Sequence, residues 1–522
     1  MKTRYIALAF IGLMALALTG CESRLDIEKH GNLGTQDDFY QTDSEVEQAL
    51  SALYQSWGGS YYTWFLTMNL LSDDAYCGGG SRGDNSDMEK LNEYTFDTDH
   101  GYVESIYSSM YSIIYYANLI IEKAAGDTDL QKQYIAEAHF FRAWAHFQLV
   151  VLYGTAPVVD HLLSSSEYRQ SNSTPEELWA FVESELEEAI NSGYMVSKSS
   201  VDDEETGMHV TKEVAQAMLG KAYVFQEKYD EAATMLDKVI NSGLYALYTG
   251  DYGLITHAAA NNCCEAMLEV QKRDDSEYAW YQYTMTYVML GWRSDHLNYT
   301  GDAADEIASG TYGFFNPRKD AYDAIAAWEG EDGYRLNRTI RTAEQMEDYG
   351  VTLISGNSLI GHEGYFCWKT RALQEDCIYD ASYFQVLQYI NLRVMRYAEV
   401  LLLAAEANLQ AGNTSKALNY INQVRERAQL DDLTSLSLSD IKSEKQAELY
   451  MEGVRFQDLV RWGDAITVMA DQGKEVPSYS SSGEVTITNT NTVYGFKEKH
   501  NLLPIPLSEI ELNPNMVQNE NW

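Results

Sequence analysis

The sequence is short of positive charge: Lys and Arg number 37 against 78 Asp and Glu, a formal net charge of −41. A surface of that sign repels nucleic-acid phosphates and anionic lipid head groups, which excludes both as ligands. It is compatible with a neutral ligand, a divalent cation or a basic partner surface. Long hydrophobic runs are missing beyond the first 20 residues, and no later stretch is apolar enough to span a bilayer. Catalytic signatures are missing too: there is no Gly-x-Ser-x-Gly elbow, His-Glu-x-x-His, phosphate-binding glycine loop or cysteine–histidine signature. Cysteine is scarce, and no spacing among the six resembles a zinc site. With Cys21 set aside, Cys77, Cys263, Cys264, Cys367 and Cys377 are an odd number. A bridge between the adjacent Cys263 and Cys264 would be strained. A Cys367–Cys377 bridge and buried free thiols both stay open.

What is present begins with an export pattern. Lys2 and Arg4 precede an apolar run from Tyr5 to Leu18, which ends in Leu18-Thr19-Gly20-Cys21. The run is too short for a membrane span and resembles a bacterial lipoprotein signal. Residues 1–20 would then be the signal, Cys21 the lipidated residue, and the polar segment 21–37 a tether. The mature protein is expected to be a soluble body on a lipid anchor.

Internal repetition sets the expected architecture. The stretch Ala217-Met218-Leu219-Gly220-Lys221-Ala222-Tyr223, followed by Tyr229 and Ala232, fits the tetratricopeptide pattern. There, small residues let two antiparallel helices touch while Leu and Tyr fill the gaps. A second copy runs through Ala404, Ala405, Ala407, Ala417, Ile421 and Val424, with Gly412-Asn413 as its turn. A third covers about 103–125 and 129–153 and stops at Tyr153-Gly154, with Pro157 just beyond. Helices at about 174–192 and 440–462 complete further pairs. In the last of these, Glu444, Glu448 and Glu452, then Arg455, Asp458 and Arg461, fall on one helix face and call for partners on another element. His139 and His146 lie two turns apart on an inward-facing helix and read as packing.

The fold class expected is therefore mainly α: a tetratricopeptide-like scaffold with long, irregular, loop-rich inserts containing short strands. A single domain spans 38–522. Its scaffold covers about 38–56, 102–245 and 393–462, with a C-terminal tail at 463–522. The inserts, about 57–101 and 246–392, are rich in aromatics, and long loops on a rigid scaffold are where binding usually resides. The chain holds 39 Tyr and 10 Trp. An aromatic face can cover the C–H face of a sugar ring while its polar edge stays wet.

Several motifs together resemble one family. They are Ala138-His139-Phe140-Phe141-Arg142-Ala143-Trp144 through Leu152-Tyr153-Gly154-Thr155-Ala156-Pro157-Val158; Arg396-Tyr397-Ala398-Glu399-Val400-Leu401-Leu402; Asn422-Gln423-Val424-Arg425-Glu426-Arg427-Ala428; and Glu452-Gly453-Val454-Arg455-Phe456-Gln457-Asp458-Leu459-Val460-Arg461-Trp462-Gly463. The tail Leu503-Pro504-Ile505-Pro506 with Asn513-Pro514 and Gln518-Asn519, and the opening Phe39-Tyr40-Gln41-Thr42 and Ser72-Asp73-Asp74, belong to the same set. In this order they are similar to the SusD/RagB-type nutrient-binding lipoproteins of Bacteroidetes. The resemblance implies an outer-membrane, cell-surface lipoprotein that captures oligosaccharides for a partner SusC-like TonB-dependent transporter. It implies no enzyme activity and no cofactor, and it makes the matched motifs mainly structural. A glycoside-active surface enzyme and a tetratricopeptide-type protein-interaction adaptor are the alternatives.

The expected site is a shallow aromatic platform with a few polar clamps. Its candidates are Asp74, Arg82 and Asn85 from the first insert, and Trp280, Tyr281, Tyr283, Trp292, Tyr299 and Trp368 from the second. Asp73, Asp74, Asp84, Asn85 and Asp87 offer oxygen ligands for a structural calcium ion, without the ordered spacing of a calcium loop.

Overall fold

The computed structural model describes residues 39–273, 284–377 and 387–522. The signal, Cys21 and the tether lie outside the described residues. The fold is mainly helical, with short strands in small sheets. Its first element is a helix over Asp43–Leu70, started by Thr42 and Glu45 in a reciprocal capping box. One stripe of this helix buries Val46, Leu50, Leu53, Trp57, Tyr61, Trp64 and Met68 in the main core. Residues 57–70 therefore continue the scaffold, where an irregular insert was expected. A Cβ at Gly58 would stand 2.9 Å from Val270, so the glycine lets a strand cross close to the helix.

The helices pair as the repeats predict. Gly101–Lys123 packs on Asp129–Tyr153, Lys212–Phe225 on Tyr229–Ser242, and Tyr397–Gln410 on Thr414–Arg427, with Pro175–Asn191 against Asp129–Tyr153. Arg142 shows why the first family motif is structural. Its Nε and Nη2 each donate at 2.7 Å to Glu185 of the neighbouring helix, and its Nη1 donates to Asn118 Oδ1 at 2.7 Å and to the Asp160 carbonyl at 2.6 Å. His146 is fully buried, with Nδ1 at 2.8 Å from the Arg142 carbonyl, and burial pulls its pKa down to about 4. The tail motif closes the helix ending at Tyr153: Asn519 Nδ2 donates to the carbonyls of Tyr153 and Leu503 at 2.8 and 2.7 Å.

The charged block at 438–463 is two helices, Leu438–Glu448 and Arg455–Arg461, joined by a turn in which Met451 and Gly453 have φ of 59° and 80°. Glu452 thus acts from the turn and not from a continuous helix face. Around it lies a buried network of five cations (Arg335, Lys369, Arg396, Arg425, Arg427) and five carboxylates (Glu265, Glu329, Glu444, Glu448, Glu452). Arg396 grips Glu452 through Nε at 2.7 Å and Glu448 through Nη1 at 2.9 Å, and Arg335 reaches Glu329, Glu444 and Glu448 at 2.6–2.8 Å. Burial alone would favour neutral Glu448, but Arg427, Arg396 and Arg335 outweigh it and hold that carboxyl far below its usual range. Arg335 and Lys369 come from the second insert, so the network clamps the insert to the helical scaffold. Arg455 holds Asp73 bidentately at 2.8 and 2.9 Å, and Arg461 holds Glu406 twice at 2.6 Å.

The strands are antiparallel and short. Ala75–Gly78 pairs with Phe314–Pro317, Ala266–Val270 with Leu392–Arg396, Leu297–Tyr299 with Val351–Leu353, and Ile340–Thr342 with Tyr365–Cys367. Glu475–Ser480 lies between Val485–Thr490 and Ser358–Ile360. The cysteines among the described residues are free thiols, so Cys367 and Cys377 form no bridge.

Candidate functional site

The sequence-predicted site residues separate into three groups. Trp280, Tyr281 and Tyr283 lie outside the described residues. Trp292, Tyr299 and Trp368 join a small second core with Leu297, Met346 and Phe366. Trp292 is 5% exposed and its indole N–H donates to the Cys367 carbonyl at 2.9 Å, so no ring face is left for a ligand. Trp368 is 6% exposed, with the Arg341 guanidinium 3.2 Å from its ring centroid. Tyr299 sits in a strand with its hydroxyl buried. Asp74 is buried beside Asp73 under the scaffold, where its backbone carbonyl accepts from the Tyr450 hydroxyl at 2.9 Å. Trp292, Tyr299 and Asp74 therefore pack inward, while Trp368 packs against Arg341 at the wall of another cleft; a lone aromatic or acid in an unperiodic stretch gives no sign of which way it faces.

Arg82 and Asn85 remain, on the loop that follows strand Ala75–Gly78. Arg82 pairs with Glu93 and lies 3.6 Å from Glu89. Asn85 caps helix Ser86–Asn92, its Oδ1 accepting from Met88 N at 3.2 Å, while its Nδ2 reaches the Tyr102 hydroxyl at 3.4 Å. The candidate calcium ligands do not converge: Asp73 holds Arg455, Asp84 accepts from Gly80 N at 2.7 Å, and Asp87 pairs with Lys90 at 3.2 Å. Among the described residues no cluster of His, Cys, Asp and Glu is arranged to hold a metal ion.

This loop meets the second insert at Arg293. A Cβ at Gly80 would stand 3.0 Å from the Arg293 guanidinium, so glycine lets that plane lie close on the loop backbone. Asp295 holds the guanidinium at 2.7 and 3.0 Å, the Tyr312 carbonyl accepts from Nη1 at 3.3 Å, and Asp84 Oδ2 stands 3.9 Å away. Three half-buried tyrosines continue the surface. The Tyr62 phenol is pushed up to about 12, by burial first and then by its neighbours Tyr102 and Tyr312. Helix Asp43–Leu70, helix Gly101–Lys123, the loop and the second insert thus bring Tyr62, Tyr102, Asn85, Asp84, Arg293 and Tyr312 together. The result is an alternation of donors, acceptors and aromatic edges suited to a polyhydroxylated neutral ligand.

Of the residues brought together here, Tyr62, Tyr102, Arg293, Asp295 and Tyr312 were not among the sequence candidates. Tyr102 looks like any scaffold-helix residue, and the one available signal was an arginine directly after Trp292 in a chain poor in arginine. A separate tyrosine-lined groove of about 470 Å³ runs between helix Gly101–Lys123 and the tail, and contains no residue of either long insert.

Comparison with known proteins places this architecture. Residues 187–522 match the model of the SusD family, and residues 31–224 match a model described as starch-binding and associating with the outer membrane. SusD-like protein P38 of Formosa agariphila is 25% identical over 90% of this chain and 93% of its own length. Starch-binding protein SusD of Bacteroides thetaiotaomicron is 24% identical with both chains fully covered. A solved laminarin-binding SusD-like protein superposes with a TM-score of 0.76 at 27% identity, covering 92% of this chain and all of that one. A family model spanning well over half the sequence, together with the helical-repeat fold, shows that the chain belongs to the SusD family.

Proposed function

We propose that this protein captures oligosaccharides at the bacterial cell surface, on the face formed by Tyr62, Tyr102, Asn85, Asp84, Arg293 and Tyr312. The observation that carries this reading is the meeting of the two inserts at Arg293, where the guanidinium lies between Asp295, Asp84 and the Tyr312 carbonyl, and where the phenols of Tyr62, Tyr102 and Tyr312 neighbour one another. Such a set matches vicinal hydroxyls with paired donors and acceptors and leaves aromatic surface for sugar C–H groups. SusD-like proteins bind glycans and are not enzymes, and the relatives named for starch and laminarin support a neutral glucan-type ligand. The outer-membrane association in the matching family description supports the location, with lipid on Cys21 as the proposed anchor. Delivery to a SusC-like TonB-dependent transporter is the proposed next step. No helix among the described residues is long and apolar enough to cross a membrane.

The test is retention of the mature protein in native gels containing laminarin or starch, with analysis of the polysaccharide afterwards. Retention without new reducing ends is expected. Arg293→Ala should weaken it about tenfold, the worth of one or two hydrogen bonds to a charged donor. New reducing ends would replace this reading with an enzyme. Retention unchanged by Arg293→Ala would move the site elsewhere, and no retention on a broad glycan panel would leave the adaptor alternative.

A further inference from the structure

A second cleft, of about 410 Å³, is lined by none of the residues of that face. It holds three arginines, Arg338, Arg341 and Arg371, around Trp368. Arg338 is matched by Asp251, with Nε and Oδ1 2.5 Å apart. The other two are not matched. Arg341 stacks on the Trp368 ring, and its Nε donates to the Asn337 carbonyl at 3.3 Å. Arg371 lies 4.3 Å from the same ring, gives Nη1 to the carbonyls of Gly253 and Trp368 at 2.9 Å each, and buries an Nε with no partner. Neither has a carboxylate within ion-pair distance among the described residues, in a chain where acids outnumber bases by 78 to 37.

The contrast with the scaffold is informative. Arg335, Arg396 and Arg427 are buried too, yet each is surrounded by glutamates. At the cleft the nearest acids are otherwise engaged or at the rim: Asp251 holds Arg338, Asp376 meets His257 at 2.6 Å, Glu306 accepts from the Tyr349 hydroxyl at 2.6 Å, and Asp305 and Glu375 are exposed. Burial, the largest effect, pulls the Arg371 guanidinium down to about 10 and lowers Arg341 as well, against the weaker opposing pull of Tyr349 and Asp251. A planar carboxylate would supply that counter-ion, since a guanidinium fork receives it through two parallel hydrogen bonds. The volume suits one or two sugar rings. The rim carboxylates can accept from neutral hydroxyls but would repel a second anion, so the fit is to one isolated acid group and not to a polyanion.

The geometry points to a second subsite, resting on the glycan-binding reading above: the Arg341–Arg371 cleft takes the carboxylate of a uronic-acid unit carried on an otherwise neutral oligosaccharide. The experiment is calorimetric titration of the mature protein with a glucuronic-acid-bearing xylotetraose, with unsubstituted xylotetraose, and with free glucuronate and acetate. The acidic oligosaccharide should bind at least about tenfold more tightly than its neutral parent. Arg341→Gln should abolish that difference, and Arg293→Ala should preserve it. Equal affinity for the acidic and neutral forms, or a difference that survives Arg341→Gln, overturns the subsite while leaving the first face standing. Free glucuronate or acetate binding as tightly as the oligosaccharide overturns its assignment to a sugar chain. Failure of both tetrasaccharides, with laminarin and starch also unbound, overturns the glycan reading itself.

Discussion

Asp74 sits where a carboxylate is least welcome. It is buried beside Asp73, its Oδ1 has no hydrogen-bond partner, and its Oδ2 meets Met451 N only at 3.5 Å. Burial first, and then the charge of Asp73, push its pKa up to about 7, against the pull of Arg455. A folded pKa above the unfolded one means that the protonated acid stabilises the fold below the unfolded value, and that this contribution is lost as pH rises through about 7. Asp74→Asn, which cannot ionise, should therefore raise the melting temperature by a few degrees near about pH 8 and by less near about pH 5. A gain independent of pH would show that Asp74 does not titrate in this range. Trp292 makes a second residue-scale case. Its neighbour Arg293 projects to the proposed face, while the indole itself fills the small core and donates inward to the Cys367 carbonyl. Trp292→Ala should lower unfolding free energy by about 3–5 kcal/mol in denaturant titration. Arg293→Ala, at a side chain 23% exposed, should change it by less than about 1 kcal/mol. Equal losses would mean that Arg293 belongs to the core and not to the site.

At the scale of elements, the paired helices were legible because periodicity and small residues at contact positions are local signals. The tetratricopeptide-like pairs and the termination at Tyr153-Gly154 appear where the pattern put them. Two elements were misread for one reason: the deciding contact is distant in sequence. Residues from 57 onward were expected to begin an insert, yet 57–70 continue the first helix, whose Gly58 leaves room for Val270. Glu444 to Arg461 looked continuous, yet the chain turns through Met451 and Gly453 at positive φ, and a Cβ on Gly453 would stand 2.9 Å from Trp64 of the first helix. The same distance in sequence hid the candidate site, since nothing local links Gly80 to Arg293 or Tyr62 to Tyr312. The aromatics of the second insert were visible as a class, but Trp292 turned inward, Trp368 took the wall of a different cleft, and Tyr62 and Tyr102 came from scaffold helices. The turn yields its own prediction. With φ of 80° at Gly453, alanine meets both backbone strain and the Trp64 ring, so Gly453→Ala should destabilise by about 1–3 kcal/mol. Because the turn also delivers Glu452 to Arg396 and Lys369, the larger loss should come from Arg396→Met. That substitution strands buried glutamates and should cost about 3–5 kcal/mol by the same denaturant measurement. If Arg396→Met were neutral, the network would be a passenger of the packing and not the clamp between insert and scaffold.

On the whole molecule the charge is divided unevenly. The buried network balances five cations with five carboxylates, so the net −41 resides largely outside it. Buried pairs are little screened by salt, whereas exposed like charges repel over a Debye length that shrinks from about 30 Å at 0.01 M to about 8 Å at 0.15 M. Folding concentrates the exposed acids, so the repulsion destabilises the compact state at low ionic strength. Exposed ion pairs such as Lys319–Asp323 work in the opposite sense, but each contributes little. The excess of like charge should win, and the melting temperature should rise by a few degrees as NaCl goes from about 0.01 to about 0.15 M. A falling melting temperature would mean that surface pairs outweigh the net charge. The same reasoning separates the two ligand sites without a mutation. A neutral oligosaccharide brings no charge into the field of the protein, so its affinity at the Tyr62–Arg293 face should be nearly constant over that salt range. An acidic one at the Arg341–Arg371 cleft feels local attraction and global repulsion together, and its affinity should change with salt, in a direction that reports which of the two fields dominates at the cleft mouth.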